Sequence, residues 1–260
     1  MPSVTFVINM EFKNRNDGWM ATNLGLAAAG SEQESVFRTE NGGTSWIKIA
    51  STPMKWTPNT LSIGGDKSGV SFLNEQRGWA TGTTYVFGHA YLYETRNGGG
   101  TWQPQELSIP HALKDAQIST YPPTFFTTKD GVLPVQAVLQ PSSRSEFIVY
   151  RTANGGNSWW PMTPMRGASN AWDLETLNRW DIFVNGNRLN VTPNGGRNWH
   201  TMHANIQASN IVDFEFTSAN QGWALMNSGL LYETEDGGSQ WSRTASVKRV
   251  TLDSASRRHG

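Results

Sequence analysis

The sequence predicts an all-β protein assembled from repeated four-stranded antiparallel units. Three observations carry this expectation: an octapeptide that occurs five times, a second repeated aromatic column upstream of it, and no long apolar stretch with a 3.6-residue period. The octapeptides are residues 39–46 (TENGGTSW), 95–102 (TRNGGGTW), 152–159 (TANGGNSW), 192–199 (TPNGGRNW) and 234–241 (TEDGGSQW). Their tryptophans lie 56, 57, 40 and 42 residues apart. Spacings of about 40 to 50 residues mark blades or solenoid units.

Each unit reads as four strands. The first ends at a phenylalanine: Phe12, Phe72, Phe125 or Phe216. A polar turn such as Asn14-Arg15-Asn16-Asp17 leads to a second strand opening at Gly18-Trp19, Gly78-Trp79, Gly131-Val132 or Gly222-Trp223. In the fourth unit the same spacing puts Asp173 in the phenylalanine place and Trp180 in the second strand. The third strand ends at the octapeptide Thr. Before it an aliphatic (Val36, Leu92, Val149, Leu189, Leu231) is followed by Phe37, Tyr93, Tyr150, Asn190 or Tyr232. Arg38, Glu94, Arg151 and Glu233 then precede four of the five Thr residues. This is the alternation of a strand with one buried face. Asn-Gly or Asp-Gly, which tolerates positive φ, turns the chain into the fourth strand.

Four-stranded units repeated about an axis make a β-propeller. Five octapeptides imply five blades, at about 6–50, 69–107, 123–163, 169–204 and 211–246 of a single domain spanning 1–260. Residues 247–260 then supply a closing strand (247–254, VKRVTLDS) and a tail. With the long first segment 1–10, these ends make six blades the alternative.

Composition narrows the function classes. The 260 residues include 12 tryptophans and no cysteine, with 21 basic and 21 acidic side chains. There is no disulfide framework, thiolate metal site or thiol nucleophile. Zero net charge argues against nucleic acid or an anionic membrane as the main partner. No apolar run reaches the roughly 18 residues of a membrane span. The start, Met1-Pro2-Ser3-Val4-Thr5-Phe6, lacks the basic and long apolar parts of a signal peptide. The glycine-rich, weakly charged composition favours an extracytoplasmic or cell-surface protein whose leader has been removed over a cytoplasmic one.

The octapeptide resembles the Asp-box, or BNR repeat, of sialidases, sortilin-type receptors, xyloglucanases and the photosystem II assembly/stability factor family. Phe-x6-Trp, Gly-Trp-Ala and Leu-Tyr-x-Thr-x-Asp-Gly-Gly, as in residues 72–102 and 216–241, are most similar to the last group. The resemblance spans roughly residues 6–246. It implies a structural motif: Asn41, Asn97, Asn154, Asn194 and Asp236 tie down the hairpins, and Trp46, Trp102, Trp159, Trp199 and Trp241 pack between sheets. The four amides are poor ligands for hard cations, so no metal is expected, nor any cofactor.

Strand alternation puts the first-to-second and third-to-fourth turns of each unit at one end, where all are short. The long insertions fall at the other: 23–35, 83–89 and 140–145 within units, 51–68, 103–124 and 160–169 between them. Variable loops on a rigid scaffold usually carry binding. The candidate binding residues there are Trp56, Lys55, His111, Arg144, Arg166 and Trp172, with Asp66, Lys67, His89, Lys114, Asp115 and Tyr121 at the same end. The expected function is a non-catalytic, monomeric scaffold that engages a protein partner through this end, as the resemblance implies. The alternatives are a sialidase- or xyloglucanase-like glycosidase, which needs paired acids or a Tyr nucleophile, and a lectin-like carbohydrate binder. No arginine triad of the sialidase kind is present on the loops.

Overall fold

Alternating strands and Asn-Gly turns fold locally into hairpins, and the hairpins stack pairwise into sheets. The structure is a computed structural model and describes residues 6–23, 33–53, 57–62, 64–166, 173–186 and 188–246. The chain divides into two units, residues 1–144 with 150–161 and residues 145–149 with 162–260.

In the first unit, β1 (Phe6–Phe12), β2 (Gly18–Asn23), β3 (Glu34–Thr39) and β4 (Ile47–Ser51) form one antiparallel sheet in sequence order. The next strands are β5 (Asp66–Phe72), β6 (Gly78–Thr83), β7 (Tyr91–Thr95) and β8 (Gln103–Pro104). They are followed by β9 (Ala116–Thr120), β10 (Thr124–Phe125), β11 (Gly131–Leu139), β12 (Arg144–Thr152) and β13 (Trp160–Pro161). A single register pair, Thr83 with Ser119, joins these two groups into one ten-stranded sheet that also includes β14 (Met165–Arg166). The second unit holds two four-stranded sheets: β15 (Asp173–Thr176), β16 (Ile182–Asn185), β17 (Leu189–Thr192) and β18 (His200–Thr201), then β19 (Ile211–Phe216), β20 (Gly222–Met226), β21 (Leu230–Thr234) and β22 (Ser242–Ser246).

The octapeptide turn is the same in all five copies. In the first, Asn41 Oδ1 accepts the Thr39 hydroxyl (3.0 Å) and the Ser45 N–H (2.9 Å), while Thr39 Oγ1 accepts the Gly43 N–H (2.9 Å). Both glycines have positive φ, 68° and 85°, which only glycine adopts without strain. The first glycine N–H donates to the turn between the first two strands of its own sheet. The acceptors are the carbonyls of Asn16, Gln76, Lys129, Trp180 and Asn220, at 2.7–2.9 Å. The two short turns of each sheet are therefore bonded together at one end.

The charge that precedes the octapeptide Thr also serves this end. Arg38 pairs with Asp17 (3.3 Å), Glu94 with Arg77 (2.5 Å), and Glu233 accepts from Gln221 (3.3 Å). The partner is the last residue of the neighbouring turn, so the sign alternates between units without changing the contact.

Consecutive repeats meet through aromatic joints. Trp19 stacks on Phe72 (4.2 Å, 14°), and Phe72 lies edge-on to Trp102 (6.2 Å). Trp79 packs on Phe125 (4.9 Å) and edge-on to Trp159 (6.0 Å). In the second unit Phe183 stacks on Phe216 (3.7 Å, 7°), which is edge-on to Trp241 (6.0 Å). Such pairs add about 0.5–1.5 kcal/mol to their burial. The phenylalanine ring lies over the glycine that opens the next strand of its own sheet. A Cβ there would come within 2.8 Å of the ring at Gly18, 2.5 Å at Gly78 and 2.7 Å at Gly131 and Gly222.

This contact explains the fourth unit, where the structure departs from the sequence expectation. Thr176 pairs with Ile182, in the register that pairs Phe72 with Gly78. Thr176, not Asp173, thus holds the phenylalanine place, and Phe183 fills the tryptophan place. Trp180 sits in the turn, 40% exposed. With no phenylalanine ring above it, the glycine is not needed, and Ile182 occupies its position.

First strands are clamped by side chains as well. Asn9 receives the Val70 N–H (2.9 Å) and donates to its carbonyl (2.7 Å). Glu11 accepts the Phe72 N–H and pairs with Lys13 (3.1 Å). Burial raises the Glu11 carboxyl above its ordinary value of 4.5, against the lowering pull of Lys13 and the Phe72 N–H. Because the folded pKa exceeds the unfolded one, ionisation opposes folding. That loss is complete above the folded pKa and disappears as pH falls below the unfolded value. Glu11→Gln, which keeps an acceptor for Phe72, is expected to raise Tm at pH 7 and to match the parent at about pH 3.5, below the ordinary glutamate range. Thermal melts at the two pH values check this; a lower Tm at pH 7 contradicts it.

Candidate functional site

The end of the β5–β8 sheet opposite its octapeptide turn carries the best-formed surface. There the β6–β7 loop runs through Thr84-Tyr85-Val86-Phe87-Gly88-His89. Its fold is local. Thr84 Oγ1 accepts the Val86 N–H (3.3 Å), and the Val86 carbonyl accepts the His89 N–H (3.2 Å). Gly88, at φ 73°, donates to the Ala116 carbonyl (2.8 Å), and a Cβ on it would lie 2.2 Å from the Lys114 carbonyl. The Tyr85 hydroxyl donates to Asp66 (2.9 Å).

These bonds leave three consecutive apolar side chains outside. Tyr85 is 51% exposed, Val86 58% and Phe87 53%. They stand beside the segment that leads into β9, where a short 3-10 turn, His111–Leu113, buries Leu113 and exposes His111. Lys114 and Asp115 follow, both exposed and 3.9 Å apart.

A groove of about 450 Å³ adjoins the tip, lined by Ser62, Gly64, Gly65, Tyr85, His89, Tyr91, Tyr93, Gln105 and Glu106 among others. Its floor is set from below by Lys67. The Lys67 ammonium donates to the carbonyls of Gly64 (3.2 Å) and Gly65 (2.7 Å) and lies 4.4 Å from the centre of the Tyr91 ring. The Tyr91 hydroxyl donates to the Ser62 carbonyl (2.9 Å). Burial holds the Tyr91 phenol well above its usual range, and the Glu34 carboxylate and Tyr93 add to the shift. The groove thus presents neutral phenols, not phenolates, at physiological pH.

The structure distributes the residues expected from sequence. His111 is exposed beside the apolar tip, and Arg144 is exposed at the start of β12. Arg166, in β14, lies in the second unit, where its guanidinium is 4.0 Å from the buried Glu146 carboxylate. Lys55, Trp56 and Trp172 lie outside the described residues. Lys67 is buried and supports the groove from within, Asp66 is bound to Tyr85, and Tyr121 donates to Gln136 (3.2 Å). Sequence reasoning did not single out Tyr85, Val86 and Phe87. The available signal was a run of three large apolar residues inside a loop that no strand alternation explains.

Among the described residues no group of three or more His, Asp or Glu side chains could hold a metal ion. No helix among them is long and apolar enough to cross a membrane.

Comparison with known proteins follows the same lines. Residues 189–256 match the family model described as Photosynthesis system II assembly factor YCF48. Photosystem II assembly protein Ycf48 of Thermosynechococcus vestitus (strain NIES-2133 / IAM M-273 / BP-1) is 24% identical over 259 residues, covering 70% of this chain and 72% of that protein. The structure is similar to that of the Hadza microbial sialidase Hz136, with a TM-score of 0.54 and 12% identity over 86% of this chain and 55% of that one. It is also similar to YCF48 bound to D1 peptide, with a TM-score of 0.41 and 16% identity over 94% of this chain and 82% of that one. The chain has the β-propeller fold with BNR-type repeats, and it is similar to Ycf48.

Proposed function

We propose that this protein is a non-catalytic propeller that holds a protein partner at the Tyr85–Val86–Phe87 tip and the groove beside it. The observation that carries this reading is the exposure of three consecutive apolar side chains on a loop fixed by its own hydrogen bonds. Contiguous exposed apolar surface rimmed by polar groups marks an interaction site, and aromatic anchors supply most of the energy at such sites. The relative named as a photosystem II assembly protein supports a role exercised on another protein. The likeness to a sialidase supports the fold and not the reaction.

His111 flanks the tip and belongs to the same surface, as does Arg144 at the same strand end. The five octapeptides mark five blades, and the neutral, glycine-rich composition suits an extracytoplasmic location.

The test is affinity capture from the native organism with the intact protein and with the double variant Tyr85→Ser/Phe87→Ser. Thr44→Ala, at an octapeptide turn, is the control. Loss of two aromatic anchors is expected to cut partner recovery at least tenfold, about 1.4 kcal/mol or more, with unchanged circular dichroism. The control should bind as the parent does. Undiminished recovery by the double variant overturns the assignment.

A further inference from the structure

Asparagine is chemically labile, most of all before glycine, whose backbone nitrogen no side chain shields. The glycine nitrogen gives up its proton and bonds to the Asn Cγ. The Cγ–Nδ2 bond breaks, and the amide leaves with that proton as ammonia. Water then opens the cyclic imide to aspartate or isoaspartate. Four of the five octapeptide turns carry the pair, at Asn41, Asn97, Asn154 and Asn194.

The folded turn opposes this reaction on both sides. The glycine N–H is held by the neighbouring turn, donating to the carbonyls of Asn16, Gln76, Lys129 and Trp180. The Asn side chain is turned the other way. Its Oδ1 accepts the N–H four residues on, from Ser45 (2.9 Å), Thr101 (2.8 Å), Ser158 (3.0 Å) and Asn198 (2.9 Å).

In three copies the leaving amide is bonded as well. Asn41 Nδ2 donates to the Ser45 hydroxyl (2.8 Å), Asn97 Nδ2 to Thr101 (3.0 Å) and Asn154 Nδ2 to Ser158 (2.9 Å). The fourth copy has Asn198 where these have a hydroxyl, and among the described residues Asn194 Nδ2 has no acceptor. The remaining Asn-Gly pair, Asn185-Gly186, ends β16 with the Asn side chain buried, away from the water that the last step consumes.

The fifth copy shows that the turn accommodates the aspartate product. Asp236 Oδ1 accepts the Thr234 hydroxyl (2.9 Å) and the N–H groups of Ser239 (3.0 Å) and Gln240 (2.8 Å), as the amide oxygens do elsewhere. The Gln240 N–H foremost holds its carboxyl below the ordinary value of 3.8, so the acid stands ionised in the turn.

We propose that Asn194 is the octapeptide residue modified first in the folded protein, by spontaneous conversion to aspartate that adds a negative charge to the fourth turn and keeps its hydrogen bonds. Water is the only co-reactant, and ammonia is released.

Incubation of the intact protein in mildly alkaline buffer, followed by peptide mass mapping, tests this. Asn194 is expected to convert about fivefold faster than Asn41, Asn97 or Asn154, the ratio that one hydrogen bond of about 1 kcal/mol gives. Asn198→Ser, which restores the hydroxyl, should slow Asn194 to the rate of the others. Ser45→Ala should raise Asn41 to the rate of Asn194. In concentrated urea the four should react alike, and Asn194→Asp should melt with the parent. An Asn194 no faster than the other three overturns the proposal, as does a rate that Asn198→Ser leaves unchanged. A preference for Asn194 that persists in urea assigns it to the flanking sequence and also overturns it. A lower Tm for Asn194→Asp contradicts an accommodated product.

Discussion

Phe72→Ala is expected to destabilise the first unit by about 3–5 kcal/mol, the usual cost of truncating a buried phenylalanine. Phe72 is fully buried between Trp19 and Trp102, and its removal leaves Trp19 without a stacking partner. Phe12 occupies the same place in the preceding sheet, has the same edge-on tryptophan neighbour in Trp46 (5.9 Å), but is 42% exposed and has no stacked tryptophan. Phe12→Ala is therefore expected to cost less, about 1–2 kcal/mol. Urea denaturation followed by tryptophan fluorescence separates the two. Equal losses at the two positions contradict the view that stability resides in the stacked joint and not in the sheet that bears the phenylalanine.

Gly156→Ala is expected to cost about 3 kcal/mol or more. Its φ of 80° is one a side chain resists, and a Cβ would lie 2.3 Å from the Trp79 ring, itself packed against Phe125 and Trp159. Two effects add: about 1–2 kcal/mol for the left-handed backbone and about 1–3 kcal/mol for overpacking. Gly229 isolates the first. Its φ is 78°, and a Cβ there would have nothing within 4 Å, so Gly229→Ala should cost only about 1–2 kcal/mol. The same denaturation curves compare them. A Gly156 variant no worse than the Gly229 variant removes the close approach of Trp79 as a reason for the glycine.

Much of the fold was legible in the residues because the repeat marks its own contacts. The phenylalanine and the Gly-Trp bracket the first turn, and the Thr and the Asn-Gly-Gly bracket the second. Observed strands end at Phe12, Phe72, Phe125 and Phe216 and at each octapeptide Thr. The fourth unit misled for a physical reason. The phenylalanine and the glycine are two sides of one contact, so they disappear together, and Thr176 and Ile182 carry neither marker. Lys67 misled because an ammonium is ordinarily a surface group. Two backbone carbonyls and the Tyr91 ring satisfy it inside. The apolar tip was hidden in an insertion. Residue order alone does not tell whether apolar side chains in a loop fold inward or outward. Here the bonds of Gly88 to Ala116 and of Tyr85 to Asp66 turn them out.

A partner that meets the loop end of the sheets, and not the octapeptide end, should be caught by site-specific photocross-linking in the native cell. A photoreactive residue replaces Phe87 in one protein and Thr44, at an exposed octapeptide turn, in another. A discrete cross-linked protein is expected from position 87, the same species when the probe replaces His111, and none from position 44. Cross-links from position 44 with none from 87 or 111 would contradict a partner site at the loop end.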